Sequence, residues 1–577
     1  MKGENIMDYL EKYKQWTVER YFDEATKTEL KNLAGNDAEI KDRFYKDLEF
    51  GTGGLRGILG AGSNRMNLYT VRKATQGLAN YIVKKDGAKK GVAIAYDSRR
   101  MSPEFANDVA LCLNANGIKS YVFESLRPTP ELSFAVRELG CIAGIVITAS
   151  HNPAEYNGYK AYWEDGAQIT YPMDMEIIAE VNEITDYANV KTMEKETAIA
   201  NGLYNIIGAE IDDKYMVELN KLVVNQVAEK CKDMKIVYTP LNGTGNLPVR
   251  RILKELGFGS VYVVPEQELP DSNFTTVGYP NPEDPKVYTL AKKLAEEVGA
   301  DIILATDPDA DRLGVQVRNE KGEFVLLNGN MTGALIAEYV FSQKAAHHTL
   351  PSNAALVKTI VTGNISDQIA KYYGATLIEV LTGFKYIGEQ IKLFKETGSN
   401  EYVFGFEESY GCLIGTHSRD KDAVVAVMTL CEATAYYKNQ GITLFEQMNI
   451  VFEKYGYFKE DLVSVTLTGI EGMEKIKEIM TGFRQNPPKT AGIYTVLKVR
   501  DYAADTITDT ATGAVTPTGL PESDVLYFEL NDDAWCAVRP SGTEPKIKFY
   551  FGVKGESLAD AEEKLKVLVS EPAFQVS

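Results

Sequence analysis

Apolar and polar positions recur in one order along this chain. "GVAIAYDSRRMSPEFANDVALCLNANGIKSYVFE" opens on an apolar run, crosses a polar loop, continues at helical spacing to an Asn-Gly stop, and ends in a second apolar run. "MKIVYTPLNGTGNLPVRRILKELGFGSVYVV" repeats that order with Leu-Gly-Phe-Gly as its stop, and "AALVKTIVTGNISDQIAKYYGATLIEVL" repeats it again. A period that changes from two to 3.6 and back predicts strand, helix, strand. Such βαβ units build helix-covered sheets of parallel strands with right-handed crossovers. The recurrence predicts three related α/β domains with mixed sheets. From about residue 452 the pattern changes. "LVSVTLTG", "VLYFEL", "AWCAVRP" and "KIKFYFGV" read as strands, with "GMEKIKEIMTGFR" and "SLADAEEKLKVLVS" as helices. That is a smaller α+β domain with an antiparallel sheet. Ahead of all this, "MDYLEKYKQW" and "ATKTELKNLAGND" carry helical spacing. The expected division is an N-terminal helical extension at 1–40 and domains at 41–208, 209–325, 326–451 and 452–577.

Composition narrows the partners. The 577 residues suit four domains of about 150 residues each. No apolar run reaches the length of a membrane-spanning helix. The opening "MKGENIMDYLEKYKQW" lacks the apolar core of a signal peptide, so a cytoplasmic location is expected. The net charge of −19 repels phosphodiester backbones and anionic lipid, which argues against nucleic acid and membrane as partners. Phosphate chemistry in so acidic a chain requires local cations or a metal. The six cysteines show no CxxC spacing and read as reduced structural thiols. No feature of the sequence sets an oligomeric state.

Four loops carry candidate chemistry. In "VITASHNPAEYNGYK" a strand-forming run stops at Ser150, followed at once by His151, Asn152 and Pro153, with Lys160 further on. These are turn residues, and they are also what a nucleophile or phosphate carrier at a strand's carboxyl end would look like. In "ADIILATDPDADRLG" an apolar strand runs into Asp307, Asp309 and Asp311, closed by Arg312. Side chains two apart diverge on a helix, so these carboxylates converge only on a looped backbone, which Pro308 favours. Carboxylates held together repel unless a cation lies among them. Hard oxygen ligands without His or Cys point to Mg²⁺ rather than zinc. An EF-hand is excluded, since Arg312 and Arg318 stand where that loop needs Gly and Glu.

"YVFGFEESYGC" places Glu407, Glu408 and Ser409 at a strand end, as acceptors for the hydroxyls of a sugar or as an exposed turn. "AVRPSGTEPKIKFYFG" offers the donors of Ser541, Gly542 and Thr543 between Arg539 and Lys546, an anion site rather than a plain strand-joining turn. Arg56 in "GTGGLRG" and Lys385 in "LTGFKYI" are weaker signals, each of which alone reads as a surface cation.

The motifs "TASHNP", "DPDADR", "FEES" and "RPSGTEPK" occur in this order, one per expected domain. In this the chain resembles the α-D-phosphohexomutase superfamily, the phosphoglucomutase and phosphomannomutase enzymes, from about residue 40 to the end. Its length, its N-terminal extension and "TGFK" resemble the longer branch, which holds bacterial phosphoglucomutases and phosphopentomutase-like relatives. The resemblance implies a phosphoserine at Ser150 and one Mg²⁺ held by Asp307, Asp309, Asp311 and an oxygen of the Ser150 phosphate. It implies transfer of that phosphate to a hexose monophosphate, giving glucose 1,6-bisphosphate as intermediate and activator. The bisphosphate then reorients and returns its other phosphate to Ser150. Arg56 and Lys160 are implied at the reaction centre, Lys385 as general acid/base or orienting residue, and His151 as a loop or phosphate contact. Arg312, Glu407, Ser409, Arg539, Ser541, Gly542, Thr543 and Lys546 are implied to bind substrate. Some relatives carry a histidine in the acid/base region, where this chain has Lys385; His417 in "GTHSRDKDA" is a second candidate to partner it, although a loop histidine is more often structural.

The resulting expectation is a phosphoglucomutase. Phosphomannomutase and phosphopentomutase activities are the nearest alternatives. An aspartate-nucleophile phosphatase built on "DPDAD" would leave Ser150 and the two other loops unexplained. A sugar-phosphate sensor would have no use for the serine and the acid/base lysine.

Overall fold

The computed structural model describes residues 9–51, 53–227, 231–467, 469–541 and 546–574, without the side chains of 469–471 and 573. Contacts divide the chain into two compact units: Met1–Leu326 with Gly411–Ala435, and Leu327–Tyr410 with Tyr436–Ser577.

The first unit opens with helices Tyr9–Val18, Glu24–Lys31 and Asp37–Phe44. Asp23 and Asn36 cap the second and third by accepting from the backbone amides of Thr26 and Glu39. Their apolar faces close on Trp16, Phe22, Leu30 and Phe44, against Tyr69 of the helix Leu68–Lys84. The third helix runs through the expected 40/41 boundary, because the same aromatic cluster needs residues on both sides of it.

A six-stranded sheet follows, in the order Gly54–Ile58, Tyr156–Trp163, Ala143–Ile147, Val92–Tyr96, Ser120–Phe123, Tyr204–Ile207. The last four are mutually parallel, and Tyr156–Trp163 returns antiparallel to Ala143–Ile147. Ala143–Ile147 is buried along its whole length, as expected of a strand covered by helices on both faces. A second sheet takes the order Phe324–Leu327, Leu313–Arg318, Ile302–Thr306, Lys235–Thr239, Ser260–Val263, with the last three parallel. Ile302–Thr306 is again wholly buried and ends at the aspartate loop.

In the second unit Ala354–Thr359 pairs in parallel with both Thr376–Val380 and Glu401–Glu407. This completes three α/β domains. The carboxyl-terminal part is an antiparallel sheet in which Lys546–Gly555 lies between Tyr457–Thr466 and Trp535–Pro540, the latter followed by Leu526–Leu530 and Tyr494–Asp501. Its core comprises Phe528, Cys536, Val538, Phe549 and Phe551. Its other face packs Tyr502, Tyr527, Trp535 and Tyr550 against Ile360, Val361 and Leu381 of the neighbouring α/β domain. The helix Leu444–Tyr455 crosses the expected 451/452 boundary, since it caps as one unit from Thr443 to Gly456.

Candidate functional site

The strand Ala143–Ile147 delivers Ser150 in a left-handed backbone conformation, φ +52°, with the side chain buried. That conformation is costly for a non-glycine residue and persists only where surroundings impose it. The surroundings are Asp97 and Arg99. The Asp97 carboxylate accepts from the Thr148 hydroxyl (2.7 Å), the Ser102 hydroxyl (2.7 Å) and the Arg99 amide (3.0 Å). Thr148 Oγ1 in turn accepts from the Ser150 amide at 2.8 Å. The wholly buried Arg99 guanidinium donates to the carbonyls of Ser150 (2.6 Å), Pro153 (2.8 Å), Tyr156 (3.1 Å) and Asn152. Gly158 allows the returning strand to close in, because a Cβ there would collide with the carbonyls of Thr148 and Leu55. The serine is clamped from behind.

Ser150 Oγ donates to Asp307 Oδ2 at 2.7 Å and lies 3.2 Å from His151 Nδ1. The aspartate loop folds around Asp307, whose Oδ1 accepts from the amides of Asp311 (3.1 Å) and Arg312 (3.0 Å). Thr129 holds Asp309 twice, hydroxyl to Oδ2 at 2.8 Å and amide to carbonyl at 3.0 Å. One oxygen from each of Asp307, Asp309 and Asp311 lies within 4.8 Å of the others, and all three residues are buried. The buried Oδ1 atoms of Asp309 and Asp311 have no hydrogen-bond partner among the described residues. Unpaired buried carboxylate oxygens are costly unless a cation satisfies them. The donor set, all hard oxygen, therefore fits a divalent metal.

The electrostatics agree with crowded charge. Burial, then Asp309 and Asp311, raises the Asp307 pKa well above the carboxylate range, with Arg312 opposing. Burial would also raise Asp311, but Lys160, Lys421 and Arg312 outweigh it and hold that carboxyl well below its ordinary value. Lys160 Nζ reaches Asp309 Oδ2 at 2.7 Å and Asp311 Oδ2 at 3.1 Å. Burial alone would lower the lysine's pKa, and the two aspartates reverse that to a net rise. Lys421 Nζ lies 3.3 Å from Asp311 and 3.1 Å from Asp420. Arg312 Nη1 donates to Glu283 at 2.9 Å. His151 is driven well below its ordinary pKa by burial and then by Arg312 and Arg56, so the ring is neutral near pH 7. Arg56 lies on Gly54–Ile58 opposite Gly158, on the strand that flanks Tyr156–Trp163.

In the first unit the fold thus gathers Ser150, His151, Lys160, Asp307, Asp309, Asp311 and Arg312, with Arg56 close enough to bias His151. His417 is placed elsewhere. Its Nε2 is 2.6 Å from Asp422 Oδ2, which also accepts from the Tyr215 hydroxyl at 2.7 Å, so the ring belongs to a buried structural cluster.

The remaining candidates lie in the second unit. Lys385, nearly buried, stands in the first turn of the helix Phe384–Thr397, entered through Gly383 at φ +118°. Glu407 ends the strand Glu401–Glu407 and is buried, and Ser409 follows in the turn. Arg539 is on Trp535–Pro540, and its buried Nη1 has no hydrogen-bond partner among the described residues. The Ser541 amide donates to the Lys546 carbonyl at 2.8 Å, closing the base of the loop. Gly542 and Thr543 lie outside the described residues.

Sequence reasoning passed over Asp97, Arg99, Thr129, Thr148 and Lys421. All but Thr148 had a local signal: "YDSRR" ends the strand beside Ala143–Ile147, "RPTPEL" opens a helix, and "RDKDA" follows His417. None is recognisable without the partner it meets.

A strand-end serine on a buried aspartate triad is the arrangement that the resemblance to the sugar-phosphate mutases implies. The family descriptions Phosphoglucomutase/phosphomannomutase, alpha/beta/alpha domain I, II and III match residues 47–188, 213–322 and 328–455, and the C-terminal domain of that family matches 497–565. The chain belongs to the phosphoglucomutase/phosphomannomutase family of the α-D-phosphohexomutase superfamily, a family of isomerases. A phosphoglucomutase of Staphylococcus epidermidis is 38% identical over 514 residues, 89% of this chain and 92% of that protein. One from Staphylococcus saprophyticus is 35% identical over 97% of this chain and 98% of its own length. Two solved structures share the fold. The Paramecium phosphoglucomutase parafusin has a TM-score of 0.65 at 19% identity, covering 91% of this chain and 94% of that one. A phosphoglucomutase/phosphomannomutase family protein of Burkholderia thailandensis has a TM-score of 0.62 at 19% identity, covering 90% and 96%.

Proposed function

We propose that this chain interconverts glucose 1-phosphate and glucose 6-phosphate through a phosphoserine at Ser150, with glucose 1,6-bisphosphate as intermediate and activator. The observation that carries the reading is Ser150 Oγ held 2.7 Å from Asp307, beside two further buried aspartates that each keep an oxygen without a hydrogen-bond partner among the described residues. Phosphoglucomutases related over nearly the whole chain support the glucose specificity.

In the forward half-reaction the phosphoryl group leaves Ser150 Oγ for the 6-hydroxyl of glucose 1-phosphate. The bond from phosphorus to Oγ breaks, the bond to O6 forms, and the hydroxyl proton passes to a base, for which Lys385 is the candidate. The bisphosphate reorients, its 1-phosphate moves to Ser150, and O1 takes back a proton. Asp307, Asp309, Asp311 and the Ser150 phosphate would hold Mg²⁺, which when bound neutralises charge on the phosphoryl oxygens. Lys160, Arg312 and Arg56 supply positive charge from the protein, with Lys421 beside them. His151, neutral, contacts Ser150 and steadies its loop. Glu407 and Ser409 bind ring hydroxyls, and Arg539, Ser541, Gly542, Thr543 and Lys546 hold the phosphate that is not reacting. Sugar phosphates are the proposed partners, and the acidic surface disfavours nucleic acid and anionic membranes. Six buried free cysteines suit the reducing cytoplasm as its location.

The test is turnover of glucose 1-phosphate with Mg²⁺ and a trace of glucose 1,6-bisphosphate, run beside mannose and ribose 1-phosphates. The expected outcome is the highest kcat/KM for glucose 1-phosphate and loss of activity on chelation. A higher value for mannose or ribose 1-phosphate overturns the glucose assignment. No turnover of any of them by the phosphorylated protein overturns the mutase reading.

A further inference from the structure

Between Glu407 and Ser409 stands Glu408, which the sequence offers as a further acceptor for sugar hydroxyls but whose carboxylate is turned to partners within the protein. Glu408 Oε2 lies within hydrogen-bond distance of the hydroxyls of Thr359 (3.2 Å) and Thr362 (3.3 Å), which are 2.8 Å from each other, so that one threonine donates to its neighbour and the neighbour to the carboxylate. Both threonines are fully buried. They face the same carboxylate because Thr359 ends the strand Ala354–Thr359 and a tight turn, Thr362 amide to Thr359 carbonyl at 3.0 Å, brings Thr362 back over it.

The backbone of the same loop is seated separately. A Cβ at Gly329 would collide with the Glu408 carbonyl, so the loop lies directly on the first residue of the helix Gly329–Ala346, whose start is fixed by Asn328 accepting from the Met331 amide at 2.8 Å. Asn330 of that helix accepts from the Gly363 amide at 3.0 Å, tying the helix start to the threonine turn. Side chain and backbone of Glu408 are therefore gripped by two elements that are themselves joined.

This grip decides where the neighbours point. Phe406 faces the helix, since a Cβ at Gly333 would collide with its ring, and successive strand residues project to opposite faces. Glu407 therefore projects away from the helix, and anchoring residue 408 fixes the backbone from which both Glu407 and Ser409 extend.

We propose that Glu408 is a positioning residue of this enzyme: anchored on Thr359 and Thr362, it holds the loop so that Glu407 and Ser409 meet the sugar hydroxyls in register. The inference rests on the proposed role of Glu407 and Ser409 as the sugar-binding pair. A half-buried carboxylate held by a pair of buried hydroxyls has a defined orientation, whereas an untethered turn would lose part of its binding energy in being ordered at each encounter.

The test is steady-state kinetics on glucose 1-phosphate with Glu408→Ala, Glu408→Gln and the double variant Thr359→Val/Thr362→Val, with Glu407→Ala and Ser409→Ala as references. Glu408→Ala is expected to raise KM about tenfold with kcat changed less than about threefold, the pattern of lost binding common to ground and transition states. Glu408→Gln keeps an acceptor oxygen for both threonines and should stay within about threefold of the native KM. The double valine variant should reproduce Glu408→Ala, and it carries the test if the alanine variant does not fold. An unchanged KM in Glu408→Ala, or in the valine variant, overturns the proposal. So does a Gln variant as impaired as Ala, which would mean the charge itself meets substrate. If Glu407→Ala and Ser409→Ala raise KM while Glu408→Ala does not, the sugar-binding reading stands and the positioning role falls. If none of the three raises KM, both fall.

Discussion

At the scale of single residues, the proposed chemistry depends on one hydroxyl held in an unfavourable conformation. The Ser150 backbone at φ +52° is maintained by Thr148 and by the four carbonyl bonds of Arg99. A fraction of the protein as isolated is expected to carry a phosphate there, an added mass of about 80 Da on the Ser150 peptide. Intact-mass and peptide mass spectrometry after incubation with glucose 1,6-bisphosphate check it; an active protein that never gains this mass rules out the phosphoserine. The metal assignment makes a graded forecast. Asp309→Ala removes a ligand and unbalances the other carboxylates, and kcat should fall by at least about a hundredfold. Thr129→Val leaves the carboxylate but removes its orienting bond, and a loss of about tenfold is expected. Titration of activity with Mg²⁺ in both folded variants decides: near-native kcat for Asp309→Ala at saturating Mg²⁺ would refute the assignment. Ser150 and the aspartates were legible in the sequence because each motif is a short run at a strand end. Arg99 was not, because the carbonyls it binds lie more than fifty residues further along the chain, and an arginine after a strand is by itself an ordinary surface residue.

At the scale of elements, the three βαβ units were legible because strand and helix patterns sit next to one another with Gly stops between them. The short strands Thr490–Ala491, Thr506–Asp509 and Val515–Thr516 were not, since none is long enough to show alternation and none is fully buried. Element junctions likewise depend on contacts that no local pattern reveals. The strand Tyr457–Thr466, first of the antiparallel sheet, brings Glu460 against Gly363, where a Cβ would meet its carboxylate. Burial raises the Glu460 pKa to about 7, opposed by the Asn330 hydrogen bond and by Lys358 and Lys459. An acid whose folded pKa is raised binds its proton more tightly when folded. That stabilisation is complete below its ordinary pKa of 4.5 and is lost as pH rises through about 7. Glu460→Gln cannot ionise, so the native protein should lose thermal stability relative to this variant between pH 5 and pH 8. The expected shift in Tm difference is about 2–4 °C for each kcal/mol in a domain of this size. Calorimetry of both proteins across that interval is the check, and parallel Tm profiles would remove Glu460 as the titrating group.

At the scale of the whole molecule, an acidic chain of net charge −19 concentrates its useful positive charge at a few places. Lys160, Arg312 and Lys421 surround the aspartate triad in the first unit, whereas Arg539 and Lys546 flank the carboxyl-terminal loop in the second. On the proposed reading, the phosphoryl carrier and the charges around it belong to one compact unit, and the candidate base and the groups that grip sugar and distant phosphate to the other. Arg539 is the residue on which that division can be tested, because its buried Nη1 has no hydrogen-bond partner among the described residues and a guanidinium matches a phosphate in two-pronged geometry. A contact with the non-reacting phosphate exists in the ground state and in the transition state alike, so its removal acts mainly on KM. Arg539→Ala should raise KM for glucose 1-phosphate by about tenfold or more, with a smaller fall in kcat from poorer placement of the attacking hydroxyl. Phosphorylation of Ser150 by glucose 1,6-bisphosphate should persist at high ligand concentration, because the triad and Lys160 are untouched. Asp309→Ala should show the opposite pattern, with phosphorylation lost at every concentration. Steady-state kinetics together with mass spectrometry of the Ser150 peptide separate the two. An Arg539→Ala protein with native KM for every sugar phosphate tested would make the "RPSGTEPK" loop a structural turn and end the division of labour between the units.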